Sequence, residues 1–525
     1  FQHQAIPGID QIFQYGRASK AYKVVSSAAT NYGQPLVMCE CYGAIKDMPV
    51  ANLYKEAMDQ FAKGVNLFVP HAVWYDAEHI VFPPELSYRS PQYGPELPAY
   101  NRYLGRLQRI LQHGEHVADI GVLYPIAALQ AGYRFDVGTP YAGGIIPAEA
   151  DYMTVGDRLM LDARHDFTFV HPDVLDQRCT VEDALLRLDK TRQQYRVFVL
   201  PGSTTIRRST LEKVKAFYER GGQVIATTRL PDRAAEFGED EAVQQIVREV
   251  FGPVETEVAA YPRVTASSTW AAGGHEAGLA ADEDADTRWN AQDGTTGDQW
   301  LEVDFGTPKT FHKTFVHEAF DRTTAYKIQS WDGSRWQDCA SGTKLGTSKI
   351  DAFAPVTAAR IRLCIDSVVS RDSVSIVEFA VYDAQGANLA AKPAQFTKHA
   401  NAAGGMAYFT AVPTAAALKA ILAEALPVPD VAWEPSPQVT GGNLSYIHKE
   451  LDGREVFFFG NSSETAVATH MRLRGRMQLE CWDPHTGTIA TPEFTHATDH
   501  GQPVTRVKLA LGPVRSCFLI GAVVP

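Results

Sequence analysis

The stretch Pro35-Leu-Val-Met-Cys-Glu-Cys-Tyr-Gly43, then a helical pattern over 51–63, then Val65-Asn-Leu-Phe-Val-Pro-His71, decides the fold class of the first region. Each apolar run is short and closed by Gly or Pro, as strands buried on both faces are. A helical pattern over 16–31 precedes them, and an amphipathic helix over 100–112, stopped by Gly114, follows. Strands alternating with helices give βα units and a parallel sheet. About three such units fit before residue 115, whereas a closed eight-stranded barrel takes roughly 250 residues. The expectation is the C-terminal part of a (β/α)8 barrel over 1–115.

Outward from that stretch the texture changes twice. Ala118-Asp-Ile-Gly-Val-Leu-Tyr-Pro125, Phe167-Thr-Phe-Val170, Arg196-Val-Phe-Val-Leu-Pro201 and Gly221-Gly-Gln-Val-Ile-Ala226 are continuous apolar runs, with helical patterns over 209–220 and 241–251. They predict a doubly wound α/β layer. From about Val254 to Asp383 short alternating runs and Gly/Asp/Ser turns replace it, the pattern of a β-sandwich or jelly roll. The α/β texture returns at Gly405-Met-Ala-Tyr-Phe-Thr410 and a helix over 414–426, so the sandwich reads as an insertion. Val456-Phe-Phe-Phe459, Thr469-His-Met-Arg-Leu473 and Val507-Lys-Leu-Ala-Leu511 predict a terminal all-β domain. The expected domains are 1–115, 116–256 with 395–428, 257–394, and 429–525.

The 525 residues suit three or four domains. A hydrophobic fraction of 45% and a charged fraction of 21% exclude a disordered chain. The balance of 49 Lys+Arg against 61 Asp+Glu, net −12, speaks against a nucleic-acid partner. No apolar run reaches the roughly 18 residues of a membrane span. Seven Cys without CxxC spacing signal neither a zinc site nor a disulfide scaffold. No leader is visible, and Phe1 begins mid-pattern, so the chain reads as a mature product or a piece of a longer one.

Glu40 is the sharpest chemical signal. Side chains alternate along a strand, so Cys39 and Cys41 share one face and Glu40 takes the other. With the cysteines packed on helices, Glu40 points to the mouth where barrel enzymes place catalytic groups. Pro70-His71-Ala-Val-Trp74-Tyr75-Asp76 ends the next strand with polar and aromatic groups. An aromatic platform beside a carboxylate suits a sugar ring. His71, Trp74 and Tyr75 are therefore candidate substrate contacts, and Asp10 is taken as a further one. The alternatives are that Glu40 caps a helix or pairs with an Arg, and that His71 is a structural hydrogen-bonder.

Ile6-Pro-Gly-Ile-Asp10, Ser26-Ser27, Tyr32-Gly33-Gln-Pro35, Cys39-Glu-Cys-Tyr-Gly43, Gly64-Val-Asn66, Pro70-His71, Pro83-Pro84, the 118–125 strand, Glu480-Cys-Trp-Asp-Pro484 and Thr486-Gly487 occur in the order of a known family. The chain resembles glycoside hydrolase family 106, the α-L-rhamnosidases, over about 1–256 and 395–525. The resemblance implies a catalytic barrel followed by accessory domains, and inversion by two carboxyl groups, with Glu40 as general base on the seventh barrel strand. An inverting pair stands roughly 6.5–9.5 Å apart, one group protonating the leaving oxygen and the other activating water. The acid is expected on an earlier strand, upstream of Phe1. Asp76, Glu78 and Glu85 are the local substitutes and read as loop residues, so the site within this chain is expected to be incomplete.

The inserted region carries Val264-Thr-Ala-Ser-Ser268, Ala280-Ala-Asp-Glu-Asp-Ala-Asp-Thr-Arg-Trp289, Gln299-Trp-Leu-Glu-Val-Asp-Phe-Gly306, Tyr326-Lys-Ile-Gln329, Trp331-Asp-Gly333, Ala359-Arg-Ile-Arg-Leu363 and Ser375-Ile-Val-Glu-Phe379. It resembles the discoidin, or factor V/VIII C-type, family, including family 32 carbohydrate-binding modules. The resemblance implies an eight-stranded jelly roll that binds glycans through loops at one end. It also implies a structural Ca²⁺ with Asp282, Asp284, Thr287 and Glu378 as ligands or neighbours; hard oxygen donors are what Ca²⁺ takes. An acidic solvated turn without metal is the alternative. Trp270, His275, Phe320 and Arg322 are candidate sugar contacts, while Trp289, Trp300, Trp331 and Trp336 read as core. Cys339 and Cys364 do not sit at the domain ends, so no disulfide staple is implied.

The α/β region is similar to the flavodoxin- or amidotransferase-like accessory domains of glycosidases. Gly143-Gly144 and Gly221-Gly222 lack the spacing of a phosphate loop. The leading expectation is a secreted or periplasmic α-L-rhamnosidase-type hydrolase acting on plant or bacterial polysaccharide, with a glycan-binding module that tethers substrate. Secretion is inferred from that architecture. A non-catalytic glycan-binding protein and a glycosidase of other specificity, β-galactosidase-type, are the alternatives.

Overall fold

Strands β1 (Gly8–Ile12), β2 (Met38–Gly43) and β3 (Leu67–Pro70) pair in parallel in the order β1–β2–β3. Helices α1 (Ala21–Tyr32) and α2 (Val50–Ala62) cross between them, the connection that parallel pairing requires. The computed structural model describes residues 2–12, 21–43, 47–76, 78–134, 146–147, 149–254, 260–271, 274–284, 287–295, 297–369, 373–437 and 439–524. The expected start of the first helix at 16–20 and the pair Gly143-Gly144 lie outside them. The chain divides into two units: Phe1–Glu255 with Phe396–Pro413 and Leu418–Pro525, and Thr256–Gln395 with Thr414–Ala417.

In the first unit, a glycine and an asparagine set the three-stranded sheet. Gly64 turns the chain out of α2 at φ 92°, and a Cβ there would stand 2.7 Å from Ser26 Cβ. Asn66 is buried: its Oδ1 accepts from Val37 N at 2.8 Å, and its Nδ2 donates to the carbonyls of Pro35 (2.8 Å) and Leu111 (3.1 Å). It thereby ties the start of β2 to the end of helix α3 (Leu97–Leu111). The Gly64-Val-Asn66 motif is thus explained by the fold.

A six-stranded sheet follows, in the order Thr397–Ala400, Met406–Thr410, Gln223–Thr227, Val197–Leu200, Ile120–Leu123, Phe167–Val170. All neighbours are parallel except the edge strand Thr397–Ala400. Its residues alternate between two cores. Phe198 and Leu200 join Leu211, Val214, Phe217 and Val243 from helices Arg208–Glu219 and Asp240–Phe251. Val197 and Val199 join Tyr152, Val155 and Ile421 together with the core of the β1–β3 region. That two-sided burial is why the strands read as unbroken apolar runs. The antiparallel sheet of Cys179–Glu182, Leu185–Leu188 and Gln194–Tyr195 went unread, because strands of two to four residues are too short to show a period. Two further antiparallel sheets, of four and six strands, close the unit and share the core of Val431, Met471, Leu473, Phe457, Phe459 and Leu519.

Among the described residues of the second unit, seven strands join in one hydrogen-bonded sheet. Gln299–Glu318 and Lys349–Val368 each run 20 residues. Gln299–Glu318 pairs with Arg263–Ala266 near its start and with Ser375–Tyr382 near its end, past irregularities in its register, so one strand serves both layers. Trp289 is fully buried in the core. Trp300, Trp331 and Trp336 are only half-buried, a correction to their reading as core. The guanidinium of Arg360 stacks 4.5 Å from Trp331 and that of Arg362 4.2 Å from Trp336, so a cation covers what apolar neighbours do not. Among the described residues no helix is long and apolar enough to cross a membrane.

Candidate functional site

Sheet register brings the first candidate residues together. Asp10 on β1 pairs with Glu40 on β2, which pairs with Val69 on β3. Paired residues of neighbouring parallel strands share a face. Asp10 is exposed, Glu40 half-buried and Val69 44% exposed, so this face is open. Cys39 and Cys41 are fully buried on the opposite face. Just beyond Glu40, Tyr42 turns the chain at φ 72° and anchors it: its hydroxyl bonds that of Tyr100 and donates to Leu53 O at 3.1 Å. A non-glycine residue there is uncommon.

Beyond β3, His71 N–H donates to Cys41 O at 2.8 Å and extends the ladder past the strand. The His71 and Trp74 rings meet edge to face at 5.7 Å. His71 Nδ1 and Trp74 Nε1 are both buried without a hydrogen-bond partner among the described residues. A buried polar atom left unpaired costs about 1–3 kcal/mol, so each of these nitrogens is open to a further partner. Tyr75 stands apart, fully exposed. The local substitutes are engaged elsewhere. Asp76 accepts from Glu78 N at 2.9 Å and meets His79 Nδ1 at 2.5 Å. Glu85 is buried against Arg89 and accepts from Ser87 Oγ at 3.1 Å.

Beneath the closed face lies a carboxylate pair that sequence reasoning missed. Glu56 and Asp59 on α2 are buried. Tyr22 Oη donates to Glu56 Oε1 at 3.2 Å, and Gln60 Nε2 reaches the same oxygen at 3.3 Å. Burial and then the neighbouring Asp59 push the Glu56 carboxyl up to about 7. Burial pushes Asp59 up to about 6, against the pull of Ser462 Oγ at 2.8 Å and Asn443 Nδ2 at 3.0 Å. The signal was the polar run Glu56-Ala-Met-Asp59-Gln60 inside a helix with apolar residues on every side.

The second unit gathers two constellations. Thr287 Oγ1 lies 2.9 and 3.0 Å from the two carboxylate oxygens of Asp282, 3.0 Å from Asp284 O and 3.1 Å from Leu279 O. One hydroxyl proton cannot bridge four oxygens. Such a convergence of hard donors fits a Ca²⁺, with backbone carbonyls supplying what carboxylates do not; among the described residues no group of three His, Cys, Asp or Glu is placed to hold a metal. Glu378 lies near Tyr382: burial, then Glu378 and Glu283, push the Tyr382 phenol up to about 12. At the loops, Trp270 stacks on His275 at 5.0 Å, and Phe320 is flanked by the guanidinium groups of Arg322 at 4.3 Å and Arg288 at 5.2 Å. Trp270 is 37% and Phe320 49% exposed. Trp270 N donates to Asn290 O and Asn290 N to His275 O, which joins the stack to one strand end. Arg288, whose buried Nε has no hydrogen-bond partner among the described residues, was missed, although it adjoins the motif tryptophan.

The family model described as alpha-L-rhamnosidase, glycoside hydrolase 106, matches residues 10–294, more than half of the chain. The F5/8 type C domain model matches residues 263–379. Among solved structures, a rhamnosidase from Novosphingobium sp. PP1Y is similar at 14% identity and TM-score 0.53, over 100% of this chain and 35% of that one. The chain thus spans about a third of that protein's length, and the likeness is one of fold. Chitosan-binding module 2 of a Paenibacillus sp. IK-5 chitosanase/glucanase, in complex with chitotriose, is 28% identical over 24% of this chain and 100% of that one, TM-score 0.22. The family 32 module of Clostridium perfringens NanJ, in complex with galactose, is 22% identical over 23% and 91%, TM-score 0.21. No curated protein matches the chain.

Proposed function

The chain belongs to glycoside hydrolase family 106, the α-L-rhamnosidases, and on that premise we propose that it carries the general base of an inverting α-L-rhamnosidase acting on plant or bacterial polysaccharide. The observation that supports this is the open face of β1–β3, where Asp10 and Glu40 stand in register beside the unpaired nitrogens of His71 and Trp74. Glu40 takes the proton of the attacking water. Neighbouring strands are only about 4.8 Å apart, less than the roughly 6.5–9.5 Å of an inverting pair. Asp10 is therefore assigned to hydroxyl binding along with His71 and Trp74, and Tyr75 to the outer rim. The general acid comes from another strand of a (β/α)8 barrel, of which β1–β3 are a part and whose other strands lie outside this chain. The six-stranded layer is read as a flavodoxin- or amidotransferase-like accessory domain. The complete protein is secreted or periplasmic.

The inserted module, 257–394, holds the polysaccharide near the site through Trp270, His275, Phe320, Arg288 and Arg322. Asp282, Thr287 and the adjoining carbonyls, with Asp284 and Glu378 beside them, would hold Ca²⁺, which fixes the turn leading to Trp289. Chelation is expected to lower the unfolding midpoint of the second unit, and added Ca²⁺ to restore it; a midpoint indifferent to both removes the ion. A second reading, glycan binding without catalysis, rests on that loop cluster alone. A panel of aryl glycosides on the complete protein tests the assignment. Release from the α-L-rhamnoside alone, with an inverted product anomer by NMR, is expected. Release from the β-galactoside, or from none, overturns it in favour of the other specificity or of the binding protein.

A further inference from the structure

Helix α3 turns a basic stripe outward. Arg102, Arg106 and Arg109 recur at helical spacing, while Tyr100, Tyr103, Leu104, Leu107 and Leu111 are buried on the other side. The stripe is one wall of a groove of about 460 Å³, faced by Trp482 and Ile489. Trp482 is half-buried and Ile489 is 59% exposed. Arg106 fixes the walls together, donating to the carbonyls of Pro484 at 2.9 Å and His485 at 3.0 Å. Arg102 and Arg109 are exposed, and among the described residues their guanidinium groups pair with nothing.

Three guanidinium groups and one carboxylate, that of Asp483, line the groove in a chain of net charge −12. Burial and then Arg515 push the His485 imidazole down to about 4, Asp483 opposing and Arg106 adding to the effect. The acids nearby are committed. Asp483 accepts from the N–H groups of His485 (2.7 Å) and Thr486 (3.3 Å) and from the Thr486 hydroxyl (2.9 Å). Glu480 accepts from Trp482 Nε1 at 3.0 Å and faces Arg454 at 3.8 Å. Gly105 lies between Arg102 and Arg109, and a Cβ there would meet open space. Alanine would fit and favour the helix, so packing does not call for this glycine; its bare backbone leaves the groove floor open.

An indole face with an apolar neighbour takes the C–H face of a sugar ring. Guanidinium groups take carboxylates as paired hydrogen bonds. We propose that this groove is a second saccharide site, selective for acidic, uronate-bearing oligosaccharide, which holds the polymer apart from both the Glu40 face and the inserted module. The proposal rests on the glycan-directed reading above, but binding is read without turnover, so a failed hydrolysis assay does not touch it.

The test is calorimetric titration of the whole chain with trigalacturonate and with its methyl ester. The acid form is expected to bind, and about tenfold weaker binding is expected for the ester, for the double variant Arg102→Gln/Arg109→Gln, and for Gly105→Leu, which fills the floor without removing charge. Lys215→Gln, on the helix Arg208–Glu219, which does not line the groove, is expected to leave the affinity unchanged. Equal affinity for acid and ester, or unchanged affinity in the double variant, overturns the proposal. Loss in Trp270→Ala moves the binding to the inserted module. A mass that doubles in solution and reverts in the double variant gives the groove to a second copy of the chain. Circular dichroism of each variant separates lost binding from lost folding.

Discussion

Two carboxylate pairs lie on opposite sides of one short sheet. Asp10 and Glu40 share its open face. Glu56 and Asp59 lie buried on α2 beneath the closed face, roofed by Cys39 and Cys41. Burial pushes both carboxyls of this second pair upward. Perturbed carboxyls often mark active sites; here the perturbation comes from burial, with Glu56 hydrogen-bonded to Tyr22 and Gln60 and Asp59 to Ser462 and Asn443. Access and unpaired donors, not the size of a shift, single out the open pair for chemistry.

The sharpest way to break the comparison is to neutralise one member of each pair. Glu40→Gln in the complete protein is expected to slow turnover by about 10³-fold, some 4 kcal/mol of barrier, as loss of a general base does. Its unfolding midpoint is expected to stay where it was, because no buried network loses a charge. Single-turnover kinetics beside thermal unfolding check both halves. Near-normal rates, or a rate loss matched by unfolding, would return Glu40 to the role of a structural carboxylate.

Glu56→Gln is expected to do the reverse and leave the rate alone. With the folded carboxyl pushed up to about 7, the folded chain holds a proton that the unfolded chain gives up. The stabilisation is therefore full below the unfolded value and is lost as pH rises through about 7. The span corresponds to about 3 kcal/mol at most. Glutamine keeps the oxygen that accepts from Tyr22 and Gln60 and has nothing to titrate. Urea unfolding at several pH values should show the variant gaining on the parent as pH climbs, and parallel profiles would mean that the network stays ionised when folded.

How far the sequence could take this comparison follows from range. The face of Glu40 was legible because alternation is local: one acid between two cysteines is enough, and the cysteines are indeed buried. The α/β and all-β textures were legible for the same reason. Asp10 as the partner of Glu40 in register was not legible, because strand pairing joins residues 30 apart and no local pattern states the offset. The burial of Glu56 and Asp59 was hidden likewise. The partners of Asp59, Ser462 and Asn443, come from the far end of the chain, and Tyr22, which donates to Glu56, stands 34 residues before it. Arg288 was passed over because a charged residue before a core tryptophan looks like any solvated one.

The smallest expected effect falls between the pairs, at Asp76. Its position after β3 makes it the nearest substitute for the missing acid. Yet the Glu78 N–H and the His79 ring hold its carboxyl below the usual range, and a general acid needs the opposite shift so that it keeps its proton near neutrality. Asparagine would retain the oxygen that accepts from Glu78. Asp76→Asn should therefore leave the turnover rate and its pH profile within about twofold of the parent, where removal of a true general acid costs about 10²–10⁴-fold. A loss on that scale, with the basic limb of the pH profile abolished, would make this exposed turn the acid. Substrate binding would then have to lift its carboxyl out of the hydrogen bonds that now hold it down.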